Sequence, residues 1–358
     1  MSRKICLLGD LHIGARKSSQ NFMNLQERFF SFLFSELEAR DIDTIIQLGD
    51  VFDSHATVNL VSLNFFKKKF ADELVKRKIT MVALVGNHDI AFKKTLAVNA
   101  IDQTLRSYKP SILAVSKPTQ IKIKETEILF VPWICEENEN QVASAVDLTS
   151  AKYCVGHFEF KDFYMYKGLK NENGRDASQY SKFDHVFSGH YHHRNQHGNI
   201  TYTGTPYELT WSDVNDPKGF TVLDLDSGIA EFVESPHTVF KKVYAASESD
   251  VDDLLQDKSF ENHYVKLYVS CETIDKKISE KLKTHIESCG CYDLEVIDVR
   301  ETILTDAGEE LDLETVELKD SKSILDLHIE KLETNVDKVP LKQLMYSLYT
   351  EAIDKEEF

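Results

Sequence analysis

Five short loops carry side chains able to bind metal ions: Gly9-Asp10-Leu11-His12, Gly49-Asp50, Gly86-Asn87-His88-Asp89, Gly156-His157 and Gly189-His190-Tyr191-His192. A lone Asp or His after an apolar run is most often a loop hydrogen-bonder. The set is different, because it offers carboxylate, amide and imidazole donors without thiolates, a mixture suited to manganese, iron or zinc. Seven or more donors exceed the roughly four to six that one ion takes, so two ions sharing a bridging carboxylate is the economical arrangement. Two cations close together acidify a bound water towards neutral pH, and an uncoordinated histidine beside them is the side chain most easily poised to deliver a proton.

The elements around these loops predict how they are brought together. Ile5–Leu8, Thr44–Leu48 and Thr80–Val85 are apolar runs, and Phe22–Arg40, Asn59–Lys78 and Thr95–Ser107 have helical period. That alternation implies an α/β layer with helices packed on a sheet. Each run ends in one of the loaded loops, and α/β sheets gather ligands at the carboxyl ends of their strands. From 111 to 234 strands predominate: Ile112–Val115, Ile121–Lys124, Ile128–Val131, Tyr153–Gly156, His185–Ser188, Ile200–Thr203 and Phe220–Leu225, with Asn138–Val146 the one helix. The expected fold class is therefore α/β, a two-sheet β-sandwich flanked by helices over residues 1–236. Beyond Pro236, the segments Lys241–Ala245, Asp250–Leu255, Tyr264–Cys271, Ile274–Cys289 and Leu294–Arg300 predict a small α+β capping domain over 237–305. Residues 306–320 hold seven acids and one lysine and read as a solvated linker. In 321–358, Ile324, Leu327, Leu332 and Val336 mark one apolar helix face. Pro340 opens a second helix with Leu341, Leu344, Met345 and Leu348 at i, i+3, i+4 and i+7. Those helices either pack on their own domain or dock another subunit behind the acidic tether.

Composition bounds the rest. A chain of 358 residues exceeds one comfortable core, and 42% hydrophobic with 28% charged residues is globular. No run approaches the roughly 18 apolar residues that cross a bilayer, so no membrane association is expected. The opening Ile5-Cys6-Leu7-Leu8 is too short for a signal-peptide core, which predicts a cytoplasmic protein. The six cysteines lack a CxxC framework and read as reduced thiols. The net charge of −17 is uneven: residues 1–234 hold 27 Lys and Arg against 30 Asp and Glu, residues 235–358 hold 15 against 29. The nearly neutral first part can still present a basic face to phosphates.

The ordered set GDLH, GD, GNHD, GH and GHYH resembles the calcineurin-like metallophosphoesterase superfamily over about residues 1–235. Within it the chain resembles the SbcD-type DNA repair nucleases, and more closely the recombination endonuclease subunits of T-even phages. The closer likeness rests on Val131-Pro132-Trp133-Ile134-Cys135-Glu136-Glu137-Asn138, on Cys154-Val155-Gly156-His157-Phe158-Glu159 running into Phe163-Tyr164-Met165-Tyr166-Lys167-Gly168, and on Tyr202-Thr203-Gly204-Thr205-Pro206. It extends more weakly over the acidic C-terminal third.

That resemblance implies Asp10, His12 and His192 on one metal, Asn87, His157 and His190 on the other, and Asp50 bridging both. It implies that His88 is no ligand but faces the scissile phosphate, stabilising the transition state or protonating the leaving oxygen. Archaeal and eukaryotic relatives carry a histidine three residues after the bridging aspartate, where this chain has Asp53; bacterial and phage relatives resemble this chain there. Asp53 either orients a metal-bound histidine or serves a turn or helix cap. His55, His185, His193 and His197 match no motif position.

Arg16, Lys17, Lys93, Lys94 and Arg194 lie near the loaded loops, where they could hold a DNA backbone by its phosphates. Lys67-Lys68-Lys69 and Lys76-Arg77-Lys78 read as a solvated helix face. The aromatic loop Phe158–Tyr166 could stack bases or serve local packing. The resemblance implies a DNA nuclease with two divalent ions, manganese or else magnesium, working in double-strand-break processing and recombination with an SMC-type coiled-coil ATPase subunit. It further implies a homodimer through the N-terminal domain and, if the chain is phage-encoded, residence in a bacterial host's cytoplasm. The competing reading is a phosphatase acting on phosphoprotein or small phosphoesters. Protein phosphatases of this class follow the bridging aspartate with a Val-Asp-Arg-Gly type loop, whereas Asp50 leads here to Val51-Phe52-Asp53-Ser54. A non-enzymatic scaffold for the ATPase would be favoured by missing ligands, and none is missing.

Overall fold

Four apolar runs, Lys4–Leu8, Thr44–Gln47, Thr80–Leu84 and Ile112–Val115, pair side by side in parallel. Gly219–Asp224 joins Lys4–Leu8 antiparallel, and Ala230–Glu234 completes that edge. A second sheet of six strands runs Asn195–His197, Ile200–Tyr202, His185–Gly189, Tyr153–His157, Thr126–Val131 and Thr119–Ile123, its four inner strands parallel. The computed structural model describes residues 3–54, 57–166, 169–271, 273–298 and 300, with positions 329, 338, 341, 344 and 345 beyond them. The expected linker 306–320, most of the expected helices in 321–358 and His55 lie outside the described residues.

Strand alternation explains why the two sheets stack. Ile5, Leu7, Ile46, Leu48, Val82 and Leu84 point one way and meet Ile128, Phe130, Tyr153, Val155 and Phe187 of the second sheet. Their neighbours Cys6, Leu8, Ile45, Met81 and Ala83 point the other way, under helices. A strand with both faces covered reads as a continuous apolar run, which is why Ile5–Leu8 and Met81–Leu84 lack a polar alternate. Gln20–Ala39 supplies Phe22, Leu25, Phe29, Leu33 and Leu37 to that outer core, with Ser19 capping its start. Leu60–Phe66 begins under an Asn59 cap, passes through a π turn at Lys67–Ala71 and continues as Asp72–Arg77. Each buried aliphatic or aromatic side chain contributes about 1.5–3 kcal/mol of transfer free energy.

Past Pro236, Phe240–Ala245, Tyr264–Val269 and Asp293–Asp298 form a parallel three-stranded sheet, crossed by the helices Glu248–Gln256 and Lys276–Ser288. It has its own core, including Val265, Leu267, Leu282 and Ile286. Its first strand is docked by the buried Glu208 carboxylate, which accepts from Val239 N at 2.7 Å and Phe240 N at 2.9 Å. Arg16 also stacks over Phe240, 5.0 Å from its centroid, and Lys266 over Trp211, at 4.8 Å.

One expectation is corrected and one open alternative is decided. Thr95–Ser107 is not one helix: Thr95–Asn99 is a strand paired with Ile90–Phe92, and the helix is Ala100–Leu105, capped by the Asn99 side chain. The hairpin turns the chain out of the GNHD loop, and tertiary pairing there overrides helical spacing. The aromatic loop is mostly core, since Phe158, Phe160 and Phe163 are buried against Tyr180 and Tyr202. Of its aromatic side chains described, only Tyr164 is exposed. The lysine runs on the Leu60–Arg77 helix are a solvated face, with Lys69 paired to Glu27 and Arg77 to Glu73 and Glu38.

Candidate metal centre

All five loaded loops leave the carboxyl ends of parallel strands, so they open on one rim. Asp10, His12 and His192 each turn a ligand atom inward, all within 4.8 Å of one another. Asp50, His157 and His190 form a second such group. Within the first, His12 Nε2 stands 3.1 Å from His192 Nε2, which lies 4.0 Å from Asp10 Oδ2. Within the second, His157 Nε2 stands 3.1 Å from Asp50 Oδ2 and 2.9 Å from Asn87 Oδ1. His157 Nδ1 donates to Leu48 O at 2.7 Å, which aims Nε2 at the rim.

The backbone makes room for this convergence. A Cβ on Gly86 would stand 2.1 Å from Asp50 Oδ1, and one on Gly49 would stand 2.2 Å from His157 Nδ1. Only glycine lets the loops close on the side chains they deliver. His12, Asp50 and His190 themselves hold left-handed backbone, with φ of 43°, 55° and 83°. Such conformations cost about 1–3 kcal/mol each and persist only where neighbours enforce them. Here Asp50 O accepts from Leu11 N and His12 N, while the Asp10 carboxylate accepts from His190 N at 2.8 Å.

Burial dominates the electrostatics. It raises Asp10 to about 7, assisted by the neighbouring Asp50 charge and opposed by His157. Burial opposes ionisation of Asp50 too, but His157 and His88 outweigh it and hold that carboxyl well below its usual range. The same pairing lifts His157 to about 9 against its burial. His190 is pushed down to about 3 by burial and by the charge on His157, and His192 is likewise held neutral. The cluster thus combines buried carboxylates, for which the His157 imidazolium supplies positive charge, with the neutral imidazoles of His190 and His192, which offer lone pairs. Oxygen and nitrogen donors in that state, without a thiolate, fit divalent cations.

Surrounding groups hold the donors in place. The Asp53 carboxylate lies 3.2 Å from His12 Nδ1, the contact of an orienting carboxylate. His88 N donates to Asp50 Oδ1 at 2.8 Å, and His88 Nδ1 donates to Asp53 O at 2.6 Å, leaving Nε2 as the nitrogen able to exchange a proton. Three supports escaped sequence reasoning. Asp89, 1% exposed, accepts from Phe52 N, Val51 N and Gly86 N and so ties the Asp50 loop to the GNHD loop; its place inside that motif was the available signal. Gln47 clamps the carbonyls of Gly9 and Gly49, and an amide ending an apolar strand hinted at it. Lys218 is buried, and its ammonium donates to His192 O at 2.9 Å, Asp213 Oδ1 at 2.7 Å and Asp216 Oδ2 at 2.8 Å. Nothing local in Asp216-Pro217-Lys218 announces that role.

The basic residues divide. Lys17 and Lys93 are exposed, and Lys94 is exposed but 2.7 Å from Glu136. Arg16 donates to Leu209 O, and Arg194 lies over Phe232, half-buried. His193 pairs with Asp216 at 2.8 Å, and His185 stacks on Tyr153 far from the rim. The Trp133 ring stands 5.1 Å from that of His190 and walls one side of the second group.

A model of the calcineurin-like phosphoesterase family matches residues 3–194. The chain is 29% identical over 351 residues to exonuclease subunit 1 of Enterobacteria phage T4, covering 98% of this chain and 99% of that one. It is 19% identical over 282 residues to the SbcD component of the nuclease SbcCD of Staphylococcus epidermidis, covering 71% and 75%. Among solved structures it is similar to the nuclease MPE of Pseudomonas putida, with 17% identity, a TM-score of 0.29 and coverage of 61% and 82%.

Proposed function

The chain belongs to the calcineurin-like phosphoesterase family, and from that membership we propose that it is a metal-dependent DNA nuclease subunit, hydrolysing phosphodiester bonds in recombination and double-strand-break processing. The observation that carries this reading is the pair of donor groups on one rim, Asp10 with His12 and His192, and Asp50 with His157 and His190. End-to-end similarity to a phage exonuclease subunit supports the choice of nuclease over phosphatase.

In the proposed site Asp10, His12 and His192 hold one divalent ion, Asn87, His157 and His190 hold the other, and Asp50 serves both. Manganese suits the donor set, with magnesium the alternative. Two such ions, when bound, acidify water and neutralise charge on phosphate oxygens. The protein's part is positioning. The amide of His88 fixes the Asp50 carboxylate, and Asp53 O fixes the His88 tautomer. His88 Nε2 then holds the proton destined for the leaving oxygen. Trp133 screens the His190 side of the rim from solvent. Lys17 and Lys93, with Arg16, Lys94 and Arg194 at shorter reach, hold backbone phosphates without reading sequence.

The proposal extends to organisation. Residues 1–236 carry the chemistry, 237–305 cap it, and 306–320 tether the segment 321–358, which docks an SMC-type ATPase; two copies pair through the first part, in a bacterial host's cytoplasm. Among the described residues no helix is long and apolar enough to cross a membrane. The test is hydrolysis of linear double-stranded and single-stranded DNA beside a generic aryl phosphate, with Mn²⁺, Mg²⁺ or chelator, and Asp50→Asn as the blank. Metal-dependent DNA cutting that vanishes in the variant is expected; aryl phosphate turnover with intact DNA would move the assignment to a phosphatase.

A further inference from the structure

The stretch from Gly204 to Lys218 joins the strands Ile200–Tyr202 and Gly219–Asp224 with no regular structure beyond one helical turn at Trp211–Asp213. Gly204 to Leu209 are nevertheless buried throughout. Irregular backbone away from water must spend its polar groups on partners, and the partners here fall on two sides. On the inner side, Gly204 lies so close to the first loaded loop that Gly9 has no room for a Cβ. Thr205 N and Lys218 Nζ both donate to His192 O, at 3.2 Å and 2.9 Å. Tyr207 donates its hydroxyl proton to Leu11 O, the carbonyl between Asp10 and His12, and accepts from Gln26 Nε2 at 3.0 Å. Burial pushes the Tyr207 phenol up, so it stays a donor. Its ring is held edge-on by Phe22 and Phe29, with centroids at 6.3 Å and 5.5 Å.

The next residue, Glu208, turns outward and takes the backbone amides of Val239 and Phe240 in the small C-terminal sheet. Trp211 packs its ring 4.8 Å from that of Phe240. Asp213 joins the two sides, accepting from Leu209 N at 2.8 Å while its other oxygen meets Lys218 at 2.7 Å. The inner contacts thus land on the loops of Asp10, His12 and His192, and the outer ones on the small sheet. The second donor group has other supports, with His157 Nδ1 on Leu48 O and the Asp50 carboxylate on the His88 amide. We propose that Tyr207 is a positioning residue for the Asp10, His12 and His192 group, and that with Glu208 it makes metal affinity there depend on how the small C-terminal sheet is seated. The inference rests on the metal reading of the cluster and adds to it a means of control acting on one ion. Packed side chains and hydrogen bonds carry such coupling, and groups just outside a coordination sphere set how well its donors converge.

Full-length protein stripped of metal is titrated with Zn²⁺ while histidine NMR follows His12 and His192 for the first group and His157 and His190 for the second. Tyr207→Phe keeps the ring between Phe22 and Phe29 and removes only the hydroxyl, so thermal unfolding should show a folded protein. Zn²⁺ binding at the first group should weaken by about ten-fold, with the second unchanged within about two-fold. Glu208→Ala removes a side chain that holds the small sheet, yet should weaken the first group by about three-fold. A purely structural role would not give this split, because general destabilisation weakens both groups together. Equal affinity at the first group in Tyr207→Phe and the unaltered protein, or equal weakening at both groups, would overturn the positioning role. Weakening in Tyr207→Phe with none in Glu208→Ala would overturn the dependence on the small sheet. Failure of the unaltered protein to take up two ions would instead overturn the metal reading, and this inference with it.

Discussion

At the carboxyl ends of the parallel strands Asp10 and Asp50 are 1% exposed and His157 fully buried, whereas the opposite ends of the same sheets carry similar residue types in the open. There Glu125, Glu127, Asp184, His185 and Asp226 surround a cavity of about 640 Å³. Their charges are met singly at the surface: Arg3 reaches Asp226 at 2.6 Å, and Lys122 reaches Glu125 at 2.5 Å. Water and flexible cations satisfy that rim, so nothing forces its acids to converge. At the other rim, glycine loops and left-handed residues press carboxylates and imidazoles together away from water, and the unmet demand is for positive charge. Residue type alone does not make a site; enclosure and convergence do.

Substitutions at the two rims can break or sharpen that comparison. The largest effect is expected from Asp50→Asn, which removes the one carboxylate proposed to serve both ions. Metal-dependent hydrolysis should fall by about a thousand-fold or more, with metal analysis showing both ions depleted; loss of only one would contradict the bridging assignment. His88→Ala should lower turnover by roughly 10²–10⁴-fold with metal content unchanged, the signature of a proton donor outside the coordination sphere. Loss of metal in that variant would instead make His88 a ligand.

Further from the ions, Lys218→Met leaves the buried Asp213 carboxylate without its cation and Asp216 with its His193 contact alone. Urea unfolding should show a loss of about 3–5 kcal/mol, together with weakened metal retention, since the His192 carbonyl loses its anchor. Asp53→Asn should weaken metal affinity by about 10–100-fold, chiefly at the Asp10, His12 and His192 group, read by metal titration. Smallest is Asp226→Asn on the opposite rim. Its side chain is 66% exposed, so a change under about 0.5 kcal/mol and unaltered turnover are expected. A large effect there would show that the two rims are coupled.

Much of the fold was legible because burial leaves a plain signature. Runs such as Ile5–Leu8 lack a polar alternate since both faces of their strands are covered, one by the second sheet and one by helices. The Thr95–Ser107 segment was misread because short-range spacing cannot register its pairing with Ile90–Phe92, a contact supplied by the turn out of the GNHD loop. The Phe158–Phe163 aromatics left stacking and packing open in the sequence, and the second sheet's outer core takes them for packing.

The sequence by itself determined which donors exist and that each follows a strand, because the glycine before Asp50, Asn87, His157 and His190 and the apolar run before that are local facts. It also determined that no thiolate joins them. Only the tertiary structure decided that Lys218 holds His192, that Asp89 ties two loops, and that Asp53 reaches His12. Each of those contacts joins segments distant in the chain through one or two atoms. Such pairings are set by how sheets stack and helices close over them, and no periodicity or local propensity encodes them.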